Sequence, residues 1–134
     1  CVTGLSPQVV TETVYALAVQ HQPRWIPDEI LLITTAKGKT QAKLSLLSSD
    51  NNWLGRLISD YGLPEIHFGT EQILTVSDEN GKPLNDIRTP ADNERVADFI
   101  TETLRKLTED EHTELHVSIA GGRKTMGYYL GYAL

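Results

Sequence analysis

Ile119-Ala120-Gly121-Gly122-Arg123-Lys124-Thr125-Met126-Gly127 joins two segments with different apolar patterns. From Leu115 up to this stretch, apolar and polar residues alternate, which predicts a strand that ends near Ala120. From Met126 onward, apolar residues recur at helical spacing, which predicts a helix. A strand that passes through paired glycines directly into a helix is typical of an α/β fold.

The same stretch carries groups that could bind a phosphate. Its glycines let backbone N–H groups approach an anion, the helix N-terminus adds partial positive charge, and Arg123 or Lys124 supplies a full charge. It is not a Walker A loop, because the two glycines which that pattern requires fall on Ser118 and Arg123. A tight turn with two exposed cations is the alternative interpretation, and the residues alone leave both open.

The composition describes one acidic domain. The chain has 134 residues, and we expect a single domain over 1–134 that is part of a longer protein. The net charge of −6 argues against a general nucleic-acid-binding surface. No apolar run reaches the length of a membrane span, and the single cysteine, Cys1, fits a reducing compartment. We therefore expect a cytoplasmic protein with no membrane partner and no double-stranded nucleic acid partner.

Two further junctions of a strand with a helix lie earlier in the chain. In the first, Thr3–Gln8, Ser6 is suited to cap a helix and Pro7 to occupy its first position. The second, Thr34–Lys39, follows a continuous apolar run of strand length over residues 29–35. Ligands of parallel α/β sheets bind at the carboxyl ends of the strands, so we expect the three junctions to lie together on that edge.

The remaining pattern completes the predicted fold. We predict helices over 42–47 and 53–61, a short strand at 66–68, and a β-hairpin around Asn80-Gly81. A further helix should begin at Pro90 with Thr89 as its N-cap. Strands that alternate with helices predict a doubly wound α/β fold, in which helices flank a mostly parallel sheet and the hairpin is an insertion.

Several kinds of chemistry are disfavoured. A dinucleotide site needs G-x-G-x-x-G after a strand, and only Gly4 of that pattern is present in the first junction. Ser6 does not lie in the G-x-S-x-G pattern of a hydrolase nucleophile. The four histidines are scattered without the short spacing of metal ligands. We therefore expect neither a cofactor nor a metal.

Four segments together resemble a known family of CRISPR-associated proteins. They are 3–13 (TGLSPQVVTET), 60–64 (DYGLP), 85–89 (NDIRT) and 116–126 (HVSIAGGRKTM). This chain is similar over essentially its whole length to the CARF domains of type III CRISPR systems, whose larger members join this sensor to a ribonuclease domain. The resemblance implies a Rossmann-like fold, a two-fold homodimer, and binding of cyclic oligoadenylate, with cyclic tetra-adenylate the expected ring, across the dimer axis.

The resemblance also implies which residues contact the ligand. The first ligand loop would contain Thr3, Gly4, Leu5, Ser6 and Gln8, and the phosphate loop Gly121, Gly122, Arg123, Lys124 and Thr125. Thr34, Thr35 and Lys37 are matched by position only. Arg88 and Asn85 would form a flap beside the site, although Arg88 could instead pair with Asp86 or Asp92.

Three functions fit this resemblance. The first is a sensor domain that regulates an effector in antiviral defence. The second is a metal-independent ring nuclease, in which a ribose 2′-hydroxyl attacks the adjacent phosphorus and leaves a 2′,3′-cyclic phosphate. Lys124 would then stabilise the developing charge, and Ser6 or Thr3 would orient the ribose. The third is a transcription regulator of the CARF type.

Overall fold

The computed structural model describes all residues from Cys1 to Leu134, which form a mixed helix-and-strand fold. Five α-helices and two short strands follow one another along the chain. The elements are α1 (Gln8–Tyr15) with a π-helical continuation (Ala16–Gln20), β1 (Leu32–Thr34), α2 (Ala36–Ala42) with a π-helical continuation (Lys43–Leu47), α3 (Trp53–Asp60), a 3-10 turn (Thr70–Gln72), β2 (Ile73–Thr75), α4 (Pro90–Thr108) and α5 (Lys124–Tyr132).

The sheet is small and parallel. β1 and β2 pair in register, with Leu32 opposite Ile73. On the other side of β1, the N-terminal residues lie parallel to it through a single bridge between Val2 and Ile33. Hydrogen bonds hold this segment in place: the Thr3 amide donates to the Ile33 carbonyl at 3.1 Å, and the Ile33 amide donates to the Cys1 carbonyl at 2.9 Å.

The predicted strands are longer than those that form. The strand predicted over 29–35 is confirmed only for Leu32–Thr34, and the one predicted over 66–68 is reduced to a bridge between His67 and Glu29. The strand expected to end near Ala120 is wrong as a regular element. Only the Val2 amide, which donates to the Ser118 carbonyl at 3.3 Å, links that segment to the N-terminal one. One backbone bond does not make a ladder, so the large parallel sheet is not formed.

Helices cover both faces of this sheet. Neighbouring residues of a strand point to opposite faces, and Leu32 and Ile33 accordingly belong to different core clusters. The first cluster joins α1, α2 and α3 and includes Val10, Val14, Ala18, Ala42, Leu46 and Leu54. The second joins α4 and α5 and includes Val96, Ile100, Leu104, Met126 and Leu130. This layering agrees with an α/β fold.

α4 begins where the sequence predicts, whereas the starts of α1 and α2 differ from the predictions. α4 begins at Pro90 as predicted, and the Thr89 hydroxyl accepts from the Asp92 amide at 3.1 Å. α1 begins at Gln8 and Ser6 does not cap it, so that prediction is wrong. α2 begins at Ala36 instead of near residue 42, since residues 36–39, predicted as a turn, form its first turn.

A short antiparallel turn lies where the hairpin was predicted. Ser77 and Pro83 form an antiparallel bridge, and the Asp78 amide donates to the Lys82 carbonyl at 2.8 Å. Gly81 has a φ of +76°, which L side chains rarely adopt. The turn follows β2 and carries the chain back toward the start of α4.

Candidate functional site

The three predicted junctions meet in space, and glycines mark each point of contact. A Cβ on Gly4 would lie 3.7 Å from the Cα of Gly122, so the first loop packs against the last. A Cβ on Gly38, in the first turn of α2, would lie 2.6 Å from the carbonyl oxygen of Gly4. The loops after Val2, after β1 and before α5 therefore form one surface, which we call the carboxyl edge.

The paired glycines of the last loop are required by space and by conformation. A Cβ on Gly121 would lie 2.6 Å from the Val2 carbonyl oxygen and 3.0 Å from Cγ1 of Val9. Gly122 has a φ of +80°, in the left-handed region that favours glycine. Close approach at one glycine and a positive φ at the next place the start of α5 directly against the first loop.

Lys124 is an unpaired cation at this surface. It is the first residue of α5, its side chain is exposed, and no carboxylate lies within ion-pair distance of it. The backbone amides of Lys124 and Thr125 donate to no carbonyl, whereas the Met126 amide bonds to the Arg123 carbonyl at 2.9 Å. The start of α5 therefore presents two free amides, the positive charge of Lys124 and the exposed Thr125 side chain.

Arg123, the other cation of the loop, is already paired. Its NH2 group donates to both carboxylate oxygens of Asp86, at 2.6 and 2.8 Å, and its Nε donates to Oδ1 at 3.0 Å. The Arg123 guanidinium and, after it, the Ile87 amide lower the pKa of Asp86 below its usual value. A phosphate would have to compete with this bidentate pair to bind Arg123.

The first loop divides into a buried part and an exposed part. Thr3 is fully buried, and its hydroxyl donates to the Ser6 carbonyl at 2.9 Å, which shapes the loop. Leu5, Ser6 and Gln8 are exposed. Of the two hydroxyls predicted to orient a ribose, only that of Ser6 therefore faces the solvent.

The second loop contributes one orphaned hydroxyl and one exposed lysine. Thr34 is fully buried at the end of β1, and its Oγ1 has no hydrogen-bond partner. The Thr35 hydroxyl caps α2 by accepting from the Gly38 amide at 3.3 Å. Lys37 is exposed on the first turn of α2. Lys37 is thus the group of this loop that can meet a ligand in solution.

The predicted flap reaches the same surface through Asp86. Arg88 is exposed, and its Nε lies 3.6 Å from Oδ2 of Asp86, so Asp86 is its ion-pair partner. Asp92 instead accepts from the backbone amide of Arg88 at 3.0 Å. Asn85 is exposed beside them. Asp86 is the site residue that the sequence did not identify, because its pairing with Arg123 spans 37 residues of chain.

Two cavities lie mainly outside this loop cluster. One, of about 530 Å³, opens at the opposite edge of the sheet and is lined mainly by apolar residues. Trp25 and His116 also line it, and their rings contact each other at a tilt, with 5.4 Å between centroids. The other, of about 520 Å³, runs between α1 and α3 and includes Gln8 of the first loop. The carboxyl edge itself is an open, polar surface.

The fold and this surface define an α/β domain with a glycine-lined, cationic loop at a helix N-terminus. Residues 6–134 match the family model described as CRISPR-associated protein NE0113. The chain belongs to that family, which indicates a role in CRISPR defence. Neither the curated proteins nor the solved structures include a match to the chain. None of its helices combines the length and apolar character that a membrane span requires.

Proposed function

We propose that this domain is a CARF-type sensor of CRISPR defence, which binds cyclic oligoadenylate, in particular cyclic tetra-adenylate, across a homodimer. Membership of a CRISPR-associated family supports the setting. The convergence of the three loops at Gly4, Gly38 and Gly122 carries the proposal about the site. A Rossmann-like architecture is part of the proposal, and the parallel pairing of β1 with the Val2 segment supports it, because this pairing directs the first two loops to one edge.

The start of α5 matches the chemistry of a phosphodiester. A phosphate there would accept hydrogen bonds from the amides of Lys124 and Thr125 and would lie beside the Lys124 ammonium. In a chain with a net charge of −6, attraction of an anion depends on such a local concentration of positive charge. One cationic loop in each protomer is sufficient if two protomers share one ring.

The exposed aromatic face of α5 supports the homodimer. Tyr128 and Tyr132 are 67% and 82% exposed, and their rings stack at 6.3 Å between centroids. Such exposed apolar surfaces are typical of protein contacts, and this one continues the helix that begins at Lys124. A cyclic ligand with two-fold symmetry would match an isologous dimer in which each phosphate loop occurs twice. We expect Tyr132→Ser to shift the dimer toward monomer in gel filtration.

The ring-nuclease alternative depends on the same loops. Lys124 and Ser6 both expose their side chains, so they could stabilise charge and orient a ribose in an in-line attack by the 2′-hydroxyl. The Thr3 hydroxyl already donates to the Ser6 carbonyl, which favours a structural role for Thr3.

The test is calorimetric titration of the protein with cyclic tetra-adenylate and with cyclic hexa-adenylate in EDTA, followed by analysis of the products. We expect one ring bound per two chains and a preference for the smaller ring. An intact ring after prolonged incubation indicates a sensor, and linear products with a 2′,3′-cyclic phosphate indicate the nuclease. No binding of either ring would contradict the proposal.

A further inference from the structure

A groove between α1 and α3 continues from the first loop. It encloses about 520 Å³, within the range of small-molecule sites. Both helices contribute side chains at helical spacing to its walls, and α2 closes it through its π-helical continuation. The lining residues are Gln8, Thr11, Ser45, Leu46, Trp53, Arg56, Leu57 and Asp60.

The groove begins at the carboxyl edge. Tyr61, just after α3, packs against Tyr15 at the end of α1, with 5.4 Å between ring centroids. At the starts of the two helices, Gln8 of α1 and Trp53 of α3 both line the groove. Gln8 follows directly on the loop whose Gly4 packs against Gly122. Gln8 therefore connects the groove with the first loop of the carboxyl edge.

Trp53 offers a stacking surface in this groove. Trp53 as a whole residue is 52% exposed, although large aromatic residues usually lose most of their surface on folding. The guanidinium of Arg56 lies 4.9 Å from the ring centroid and holds the indole in place by a cation–π contact. The amide of Gly55 donates to the Asn52 side chain at 2.8 Å and fixes the start of α3 beneath the ring.

The charges of the groove favour a neutral group over a phosphate. Arg56 and Asp60 are the two charged residues of its lining, and their charges cancel. Gln8 and Thr11 add donors and acceptors that can bond the polar edge of a base. Lys124, by contrast, has no carboxylate partner and suits the anionic part of a ligand. The groove thus suits the base of a nucleotide, and the start of α5 suits its phosphate.

We propose that the groove between α1 and α3 binds a purine base, with Trp53 as the stacking residue. The inference rests on the proposed function for its ligand, since the base would belong to an adenylate whose phosphate lies at Lys124. Base–aromatic stacking tolerates any base, so Trp53 supplies affinity, and Gln8 and Asp60 supply contacts to the base edge.

The test measures ligand affinity and tryptophan fluorescence in the dimeric protein. With cyclic tetra-adenylate, Trp53→Ala should weaken binding roughly fivefold to a hundredfold, and Trp53→Phe should restore part of it because a phenyl ring also stacks. Binding should quench emission in Trp25→Phe, which retains Trp53. It should leave the emission of Trp53→Phe, which retains only Trp25, unchanged.

A second probe, AMP, separates this inference from the proposed function. Quenching of Trp53 by AMP without binding of the ring would support the base site while the proposed function failed. Binding of the ring with equal affinity by the wild type and Trp53→Ala would overturn the base site and leave the proposed function standing. Absence of quenching by both probes would overturn the base site. A loss of dimer in Trp53→Ala with unchanged affinity would also overturn it and assign Trp53 to a protein contact.

Discussion

The two edges of the small sheet have opposite character. The amino edge has a cavity of about 530 Å³, with mostly apolar walls and Asp28, Glu29 and Glu114 as its charged residues. The carboxyl edge is open and polar, and it gathers glycine contacts, free amides and Lys124. The presence of an apolar cavity alone would favour a site at the amino edge. The chemistry of an anionic ligand places it at the other, because carboxylates repel a phosphate and helix N-termini attract it.

The contrast between the two edges depends first on the close packing of the three loops at the carboxyl edge. Gly121→Ala should destabilise the fold by about 1–3 kcal/mol, because the added Cβ would lie 2.6 Å from the Val2 carbonyl oxygen. Chemical denaturation measures the loss. Gly131→Ala is the matched control on α5, since a Cβ there has open space, and it should leave the stability unchanged or raise it. Equal stability of the two variants would show that the loops do not pack as described.

Much of this edge could be predicted from the sequence where local chemistry determines the structure. Thr89 and Pro90 define the start of α4, and the reciprocal bonds between Thr89 and Asp92 confirm it. The three junctions also lie together as expected. Parallel pairing accounts for the first two, whereas the close contacts of Gly121 and Gly122 with the N-terminal segment place the third. The contact roles assigned to individual residues remain predictions.

Tertiary contacts explain what the sequence did not predict. Gly38 resembles a turn residue, yet it lies in α2, where the Gly4 carbonyl leaves no room for a side chain. The segment from Leu115 to Ile119 has the alternation of a strand but makes one backbone bond to Val2. The pairing of Arg123 with Asp86 joins residues far apart in sequence. A local sequence pattern shows neither which distant residues will pair nor where two backbone segments will approach closely.

The second prediction concerns the carboxylate at the carboxyl edge. Asp86→Asn should strengthen binding of cyclic tetra-adenylate by roughly threefold to tenfold, since it frees Arg123 for a phosphate. Asp98→Asn, on the exposed face of α4, is the control for the general loss of negative charge. Calorimetry compares the two. Weaker binding in Asp86→Asn would mean that the pair holds Arg123 in its binding position.

The same pair predicts a pH dependence of stability. Arg123 holds the pKa of Asp86 below its usual value of 3.8, so the carboxylate is ionised above that pH in both the folded and the unfolded chain. Its stabilising contribution is therefore present above pH 3.8 and is lost as the pH falls below it. Acid unfolding of the wild type and Asp86→Asn should differ by a small shift there. Identical acid unfolding curves would contradict the ion pair.

The smallest effect is expected at the amino edge. His116→Ala removes the ring that contacts Trp25 and should change the affinity for cyclic tetra-adenylate by less than about twofold, because distant sites act independently. A loss of affinity as large as that expected for Lys124→Ala would instead place the ligand in the cavity at the amino edge.

Lys124→Ala tests the central claim most directly, with Lys106→Ala as its control. Lys106 lies near the far end of α4 and pairs at 2.7 Å with Glu102, whereas Lys124 has no partner. Calorimetry with cyclic tetra-adenylate should show binding weakened roughly tenfold or more in Lys124→Ala and unchanged in Lys106→Ala, since a charge-assisted bond to phosphate is lost only in the first. Equal affinity of Lys124→Ala and the wild type would contradict the placement of the phosphate at the start of α5.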